Sequence, residues 1–560
     1  MTTIARVLPR SSTRNAARAR PRRIPVENVA IFTLALAFYL TAAAFVVFHI
    51  HFLIDDAYAR IDNASNVLFT RDPHLAAIGF IWPPLPSFLE LPIIAFKPLW
   101  PVLVTQGFAG SIEAAAFSAG TLVVINSGLR WAGVGRGLRW ILCAIFMLNP
   151  MIVTYGVQGM SEAMLVFFFL ASLLIFVRWC ESGRSALLPL LGIVAGLGCL
   201  TRVEMFMVTF ALGIGVIVRS IRAKVSIREI ETKALLFGLP AILLLMLWLG
   251  TMTIIMRNPL YFISGVGSNA QQLAGGGRGV IAHETWSHAA KLIGEHAVLL
   301  FPAVLPVLAM LAARLLMKRG RLNGLMLGAL GLPIALFDIY LLHAHELVAA
   351  MRYQIFVIPY TFVVAIYLLH GIKGRGLAIS RSGALLMVAV LGASNVATAM
   401  VLADPSIAFQ EAPLMSAVAT GQTIEQVTAR TPNIYVSYGG AAYGAAILKG
   451  VLQLDQDHGL IACDSLDCFP IVLNAPNPEM FVVSSDRDFE GALAQPTVYH
   501  VEYFLVPQGA VGGPDRLNIV YPGLYSSGGG FSKLVGTITA GSIGGPSWRL
   551  FRIIGPTGRG

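Results

Sequence analysis

The chain has 560 residues, of which 56% are hydrophobic and 12% charged, against roughly 25% charged in an ordinary soluble protein. With a mean hydropathy of +0.72, this composition excludes a water-soluble globular enzyme. The net charge of +11 divides unevenly: from Asp404 onward there are 8 Lys/Arg against 13 Asp/Glu, a net of −5, which leaves 32 basic and 16 acidic residues, a net of +16, before it. Those basic residues sit in short loops between apolar runs, where they report membrane orientation and not nucleic-acid binding.

Residues 1–28 form a basic tail, with seven arginines and no acid before Glu27, and read as a disordered cytoplasmic segment. A targeting peptide is the rival reading. The run from Val29 to Ile50 is longer than a signal core and has no clean small-residue cleavage site, so it is kept as the first span. Residues 51–106 follow as a long first outer loop. Further spans are expected near 107–129, 140–157, 161–179, 186–201, 203–218, 234–256, 292–313, 325–342, 350–370 and 383–402, about eleven in all, each near the length that crosses a ~30 Å hydrocarbon core. With this threading, 24 of the 40 basic residues fall in the tail and the inner loops and only eight in the outer loops and spans. That bias fits a cytoplasmic N-terminus and a C-terminal part outside a plasma membrane, in a bacterial cell.

The fold class expected is therefore a polytopic α-helical membrane protein, residues 29–402, with a C-terminal extracytoplasmic α/β domain, residues 403–560. In the latter, apolar stretches such as Asn433–Tyr438, Met480–Ser484, Tyr499–Val506 and Trp548–Ile554 alternate with Gly, Pro and Asp turns. Gly439-Gly440 reads as a plain turn in preference to a phosphate cradle. Cys143, Cys180 and Cys199 lie in or beside apolar runs as small hydrophobes. Cys463 and Cys468, in the polar part, leave a short-loop disulfide open; a metal site is disfavoured because no second Cys or Cys/His pair stands at ligand spacing.

The first outer loop carries an acidic pair, Asp55-Asp56, followed by Tyr58 and Arg60. Adjacent carboxylates at a membrane surface persist when solvated, bound to a cation or used in chemistry; a solvated helix start is the plain alternative. The loop runs on to Trp82-Pro83-Pro84-Leu85-Pro86, where the prolines delay a regular helix until after them and Trp82 suits the headgroup level. The segment reads as a reversal that folds back over the acidic pair. Glu162 at the start of the fourth span, Arg202 and Glu204 between the fifth and sixth, and Arg352-Tyr353 at the start of the tenth all fall on the same side as Asp55. Ionisable groups at membrane depth are functional candidates by default.

In this order and spacing the chain resembles the GT-C class of membrane glycosyltransferases, the branch of aminoarabinose transferases and protein O-mannosyltransferases. The motifs are Asp55-Asp56-Ala57-Tyr58, Pro83-Pro84-Leu85-Pro86, Ser161-Glu162-Ala163, Leu200-Thr201-Arg202-Val203-Glu204 and Arg352-Tyr353, within residues 29–402. The resemblance implies a polyprenyl-phosphate-linked sugar donor, a glycan, lipid or protein acceptor presented from outside, and inversion at the anomeric carbon. It implies Asp55 as general base, Asp56 as its support or a cation ligand, and Glu162 as a second carboxylate near the acceptor. Arg60, Arg202, Glu204, Arg352, Tyr353, Tyr58 and Trp82 are the implied donor-phosphate or substrate-binding set. Relatives of the aminoarabinose type often carry a Lys just before the prolines, where this chain has Trp82, so an arginine has to substitute there or the donor sits differently.

A phosphate leaving group carries its charge away, so such a reaction needs one base and positive charge at the phosphate, and no strong acid. No cofactor is required; a divalent cation at Asp56, or at His343 and His345 with Glu346, is the candidate. The pair His283 and His288, five apart, does not match a zincin helix. A transporter or flippase is the competing reading, disfavoured because no repeat relates the two halves and the charges cluster at outer ends instead of the midplane. A non-catalytic scaffold for the C-terminal domain is the third.

Overall fold

The computed structural model describes residues 25–265, 285–317, 321–370, 377–430, 440–455, 458–509 and 515–556. The Asn433–Tyr438 strand, Gly439 and His283 expected above lie outside these residues. Eight of the described helices are long and apolar enough to cross a bilayer, and up to ten spans result if each of two bent pairs crosses as one.

In chain order, helix α1 (Val26–Phe45) runs on through a wide turn to Ile50. His51 then takes a left-handed conformation (φ 60°) that ends it. After an extended link, α2 (Asp55–Leu68) starts with both aspartates in its first turn, where the exposed amides favour negative charge. Helix α3 (Leu85–Ile94) begins at Leu85, with Pro84 before it and Pro86 inside the first turn. The prolines thus do not delay the helix beyond themselves; a first-turn proline loses no hydrogen bond because its N–H would have no helical partner.

The spans follow as α4 (Phe108–Trp131), the pair α5 (Arg136–Met147) and α6 (Pro150–Gly156), α7 (Glu162–Ser182), α8 (Leu187–Cys199), α9 (Glu204–Arg222) and α10 (Ile227–Met256). The second pair, α11 (Trp286–Leu300) and α12 (Val304–Leu316), precedes α13 (Arg321–Ala329), α14 (Leu332–His343), α15 (Val357–His370) and α16 (Leu377–Leu402). Every expected span has a helix at its place, and eight of them, or ten with the bent pairs, have the full length and apolarity of a span among the described residues. Helix α8 has 13 residues, roughly 20 Å at 1.5 Å per residue, yet with its flanking turns it carries the chain back from Ser182, at the end of α7, to Arg202 beside Glu162 at its start. It lies so close to α10 that a Cβ on Gly192 would fall 2.1 Å from the Phe237 carbonyl oxygen.

The two bent pairs turn by 67° and 98°, and one stretch of α16 satisfies both breaks. Asn395 donates to the Ile145 carbonyl (2.7 Å) and accepts from Asn149 (2.9 Å) at the first break. Thr398 donates to the Leu300 carbonyl (2.7 Å), and Ser394 accepts from the Ala303 amide (2.8 Å), at the second. In an apolar interior an interrupted helix persists only where neighbours take up the freed backbone groups. At the end of the bundle where α1 begins, Glu27 pairs with Arg139 (2.6 Å), and Asn28 accepts from Asn126 (2.8 Å).

The C-terminal part holds a five-stranded sheet in the order β2-β1-β3-β5-β4, with β1 (Leu460–Cys463), β2 (Phe481–Val483), β3 (Val501–Pro507), β4 (Ser532–Ile538) and β5 (Trp548–Ile553). Strand β1 is parallel to β2 and β3, and β5 is antiparallel to β3 and β4. One face packs under Tyr443, Ile447, Val451 and Ile471, the other under Phe489, Leu493, Leu517 and Tyr521. Cys463 and Cys468 are joined as a disulfide. The membrane-side core extends past residue 402: Leu414, Ala417, Ile424 and Val427 belong to it, on α17 (Ala412–Thr420) and α18 (Ile424–Arg430). The sheet unit proper starts with α19 (Ala441–Leu454), so the membrane core reaches beyond the 403 boundary expected from composition.

Candidate active site

Five stretches far apart in the chain meet around α2. The amide of Ile54 donates to the Gln158 side chain (3.2 Å), which fixes where α2 starts. Gly159 sits at φ +72°, and a Cβ there would lie 2.7 Å from the Gly110 backbone; only glycine lets the start of α7 come this close to α4. That approach brings Ser161 and Glu162 beside α2.

Arg60 is buried. Its Nη2 reaches Ser161 Oγ at 3.4 Å and its guanidinium carbon stands 4.7 Å from the centre of the Trp82 ring. Ser87 of α3 donates to the Arg60 carbonyl (3.3 Å), and the Leu85 amide donates to the Leu200 carbonyl (2.9 Å). The proline segment therefore does fold back on α2. Arg60 Nε and Nη1 have no hydrogen-bond partner among the described residues.

Arg202 donates to Glu162 (2.5 Å) and, through Nε (3.0 Å) and Nη2 (2.5 Å), to Glu204. Arg352 donates to Asp56 Oδ2 (2.8 Å) and to the Tyr353 hydroxyl (3.2 Å). Tyr353 lies between the two arginines, its ring 5.5 Å from the Arg202 guanidinium and 5.1 Å from that of Arg352. Burial alone would raise the Asp56 carboxyl, but the charges of Arg352, Arg60 and Arg202 hold it below the usual carboxylate range. Its side chain keeps 37% exposure, and Asp55 beside it is half-buried, so the pair faces an opening while its arginines are inside.

The structure thus brings together Asp55, Asp56, Arg60, Trp82, Glu162, Arg202, Glu204, Arg352 and Tyr353. Tyr58 is turned to other partners. It is fully buried, donates to the Thr105 carbonyl (2.6 Å) and accepts from Asn474 (3.1 Å), so it pins α2. The cation candidates do not converge either. Asp56 is paired with Arg352, His343 stacks on Trp286 (4.1 Å), and Glu346 is exposed. Among the described residues no three His, Cys, Asp or Glu could hold a metal ion.

Sequence reasoning missed four acids and a tyrosine. Glu90 on α3 and Glu113 on α4 are buried behind Arg60. Neither Glu90 oxygen has a hydrogen-bond partner among the described residues. Tyr155 donates to the buried Glu411 (2.5 Å), and Asp338 accepts from Gln354 (3.4 Å) near Glu204. Glu90, Glu113 and Asp338 stand inside apolar runs, the same signal that singled out Glu162. Glu411, beyond the last span, gives no such signal.

Residues 106–250, which hold Glu113, Tyr155, Glu162, Arg202 and Glu204, match the family model described as dolichyl-phosphate-mannose-protein mannosyltransferase. The resemblance to GT-C class membrane glycosyltransferases therefore stands. Two solved structures are similar along the chain. ArnT from Cupriavidus metallidurans bound to undecaprenyl phosphate is 13% identical with a TM-score of 0.49, and the same protein in the apo state is 13% identical with a TM-score of 0.45. Each alignment covers 94% of this chain and 98% of the other. Neither score reaches the level that marks a shared fold. No curated protein matches in sequence.

Proposed function

We propose that the chain is a membrane glycosyltransferase that moves a sugar from a polyprenyl-phosphate donor to an acceptor hydroxyl, with inversion, at the end of the bundle that carries Asp55. The observation that carries this reading is the gathering of Arg60, Arg202 and Arg352 from three distant segments beside the half-open Asp55-Asp56 pair. The mannosyltransferase match over residues 106–250 supports it.

In this reading Asp55 takes the proton of the acceptor hydroxyl as the acceptor oxygen bonds to the anomeric carbon. The bond from that carbon to the phosphate oxygen breaks, and its electron pair leaves with the phosphate. No acid is needed, because the leaving oxygen stays ionised. Positive charge at the phosphate comes from Arg60, whose Nε and Nη1 have no protein partner among the described residues, and from Arg352 through Nε, also without one. A guanidinium offers two parallel donors to phosphate. Arg60 over Trp82 takes the place that relatives give to Lys before the prolines. Arg202 is spent on Glu162 and Glu204 and holds the frame. Glu162 faces the acceptor side through its second oxygen, and a divalent cation beside Asp56 is compatible with the reaction but not required by it.

The charge bias of the loops supports an outer-face site on a plasma membrane, and the disulfide in the C-terminal part fits an oxidising compartment. Residues 29–402, extended by α17 and α18, form the catalytic part; the sheet unit lies outside the membrane. The test is transfer from a polyprenyl-phosphate-linked sugar by the purified protein in lipid. Asp55→Asn is expected to lower kcat about 10²- to 10⁴-fold with the protein still folded. Full activity in that variant removes Asp55 as the base. Movement of the lipid-linked sugar across sealed vesicles without covalent transfer replaces the whole reading by transport.

A further inference from the structure

Helix α20 (Ser465–Asn474) of the C-terminal part belongs to two cores at once. Cys468, Ile471 and Val472 pack with the sheet, whereas Phe469 and Leu473 are counted in the membrane-side core. Phe469 and Leu473 are four apart, so they share one helical face, and that face meets α2. Phe469 lies edge-on to Tyr58 with centroids 5.9 Å apart, and Asn474 donates to the Tyr58 hydroxyl (3.1 Å). Asn474 itself is held by the Pro470 and Ala441 carbonyls (2.8 and 3.2 Å). Tyr58 is three residues from Asp55, one turn along the same helix.

A second contact grips the far end of α2. Arg71 donates to Asp486 (3.0 Å) and pairs with Asp488. Asp72 accepts from the Arg487 amide (2.9 Å) and from its guanidinium. Opposite charges alternate on both sides of this contact, so a slip along it would oppose like charges. The disulfide ties the first turn of α20 to the end of β1, which fixes the helix on the sheet with Phe469 turned outward.

We infer that the C-terminal domain is a clamp on the acidic helix: Phe469 and Asn474 are positioning residues that act through Tyr58, and the Cys463–Cys468 disulfide keeps them in place. Its catalytic consequence rests on the glycosyltransferase reading; the clamp itself does not. An acidic helix without cap bonds at its start, in a stretch between two spans, gains its fixed place from this grip. Reduction of the disulfide loosens α20 and with it the placement of Asp55 and Asp56.

The experiment compares full-length wild type with Phe469→Ala, Asn474→Leu and the double variant Cys463→Ser/Cys468→Ser, in lipid discs. Two quantities are read: hydrogen exchange of the amides of residues 55–68, and the kinetics of transfer from a polyprenyl-phosphate-linked sugar. Exchange in α2 is expected to quicken about tenfold in Phe469→Ala, and less in the other two, with α4 and α7 unchanged. The kcat falls in the same order and the donor KM rises with it, because Arg60 lies on the same helix as Asp55 and Arg352 is bonded to Asp56. Tyr58→Phe combined with Asn474→Leu is expected to be no worse than the more severe single variant. Unchanged α2 exchange in all three variants overturns the clamp, and so does faster exchange with unchanged kcat. A wild-type chain that transfers no sugar overturns the catalytic reading alone, and the exchange measurement still decides the clamp.

Discussion

Arg60 and Trp82 form a cation–π pair, the guanidinium carbon 4.7 Å from the ring centre. The ring holds the cation without using its N–H groups, and Nε and Nη1 have no hydrogen-bond partner among the described residues. Such a contact is worth about 0.5–2 kcal/mol. Trp82→Ala is therefore expected to raise the donor KM about three- to thirtyfold with a smaller change in kcat. Arg60→Lys is expected to be worse, since an ammonium neither stacks nor offers a fork. Equal, negligible effects of both on donor KM in a steady-state titration would show that the phosphate lies elsewhere.

Arg352 and Asp56 are bound to each other at 2.8 Å, so their substitutions must couple. Loss of Arg352 removes charge from the phosphate and leaves Asp56 without its counter-charge. Arg352→Gln is expected to lower kcat/KM for the donor about 10²- to 10³-fold. Asp56→Asn leaves the arginine free to meet the phosphate and costs far less. In the double variant the Asp56 change adds nothing to the Arg352 change. Independent, multiplicative losses in the three kinetic measurements would mean that the pair does not act as a unit.

The span positions were legible because a bilayer imposes a length and a composition on any helix that crosses it, and Asp55, Glu162, Arg202 and Arg352 stood out as charges at the ends of such runs. The breaks in the two bent pairs were not legible. Asn149-Pro150 hints at the first, but the partners that sustain it, Asn395 and Thr398, sit about 250 residues away and read as ordinary polar residues in a span. In the C-terminal part β2, β3 and β5 matched apolar stretches, whereas β1 has four residues and in β4 Lys533, Gly536 and Thr537 break up Leu534, Val535 and Ile538, too short or too mixed for a period-two signal. Tyr58 entered the substrate-binding set through the Asp55-Asp56-Ala57-Tyr58 motif. Only the fold shows that α20 covers it.

The polar stretch of α16 carries its own prediction. Asn395 both donates to the Ile145 carbonyl and accepts from Asn149, so Asn395→Leu leaves that carbonyl unpaired in an apolar interior and the Asn149 amide with Thr398 as its remaining acceptor. Each unmet buried group costs about 1–3 kcal/mol. The melting temperature in detergent is expected to fall by several degrees, and Asn395→Asp, which keeps an acceptor but no donor, by more. A melting curve unchanged by Asn395→Leu would mean that the break at Asn149 is sustained without α16.

The grip between Arg71-Asp72 and Asp486-Arg487-Asp488 should respond to pH through Asp486. Burial pushes the Asp486 carboxyl from 3.8 up to about 6, against the pull of Arg71. Between those two values the folded chain holds a proton there that the unfolded chain has lost, so this group's contribution to stability declines as pH rises through the window. Asp72 behaves in the opposite sense. The hydrogen bond from Arg487 keeps its carboxyl well below the ordinary range, so its contribution is complete above about pH 4 and does not change within the window. Asp486→Asn is thus expected to flatten the pH dependence of melting between about pH 4 and 6, with its advantage over wild type growing toward pH 7. Asp72→Asn should lower the melting temperature by a similar amount at every pH in that range. Wild-type and Asp486→Asn curves that run parallel from pH 4 to 7 would place the buried proton on another group and leave the grip a simple ion pair.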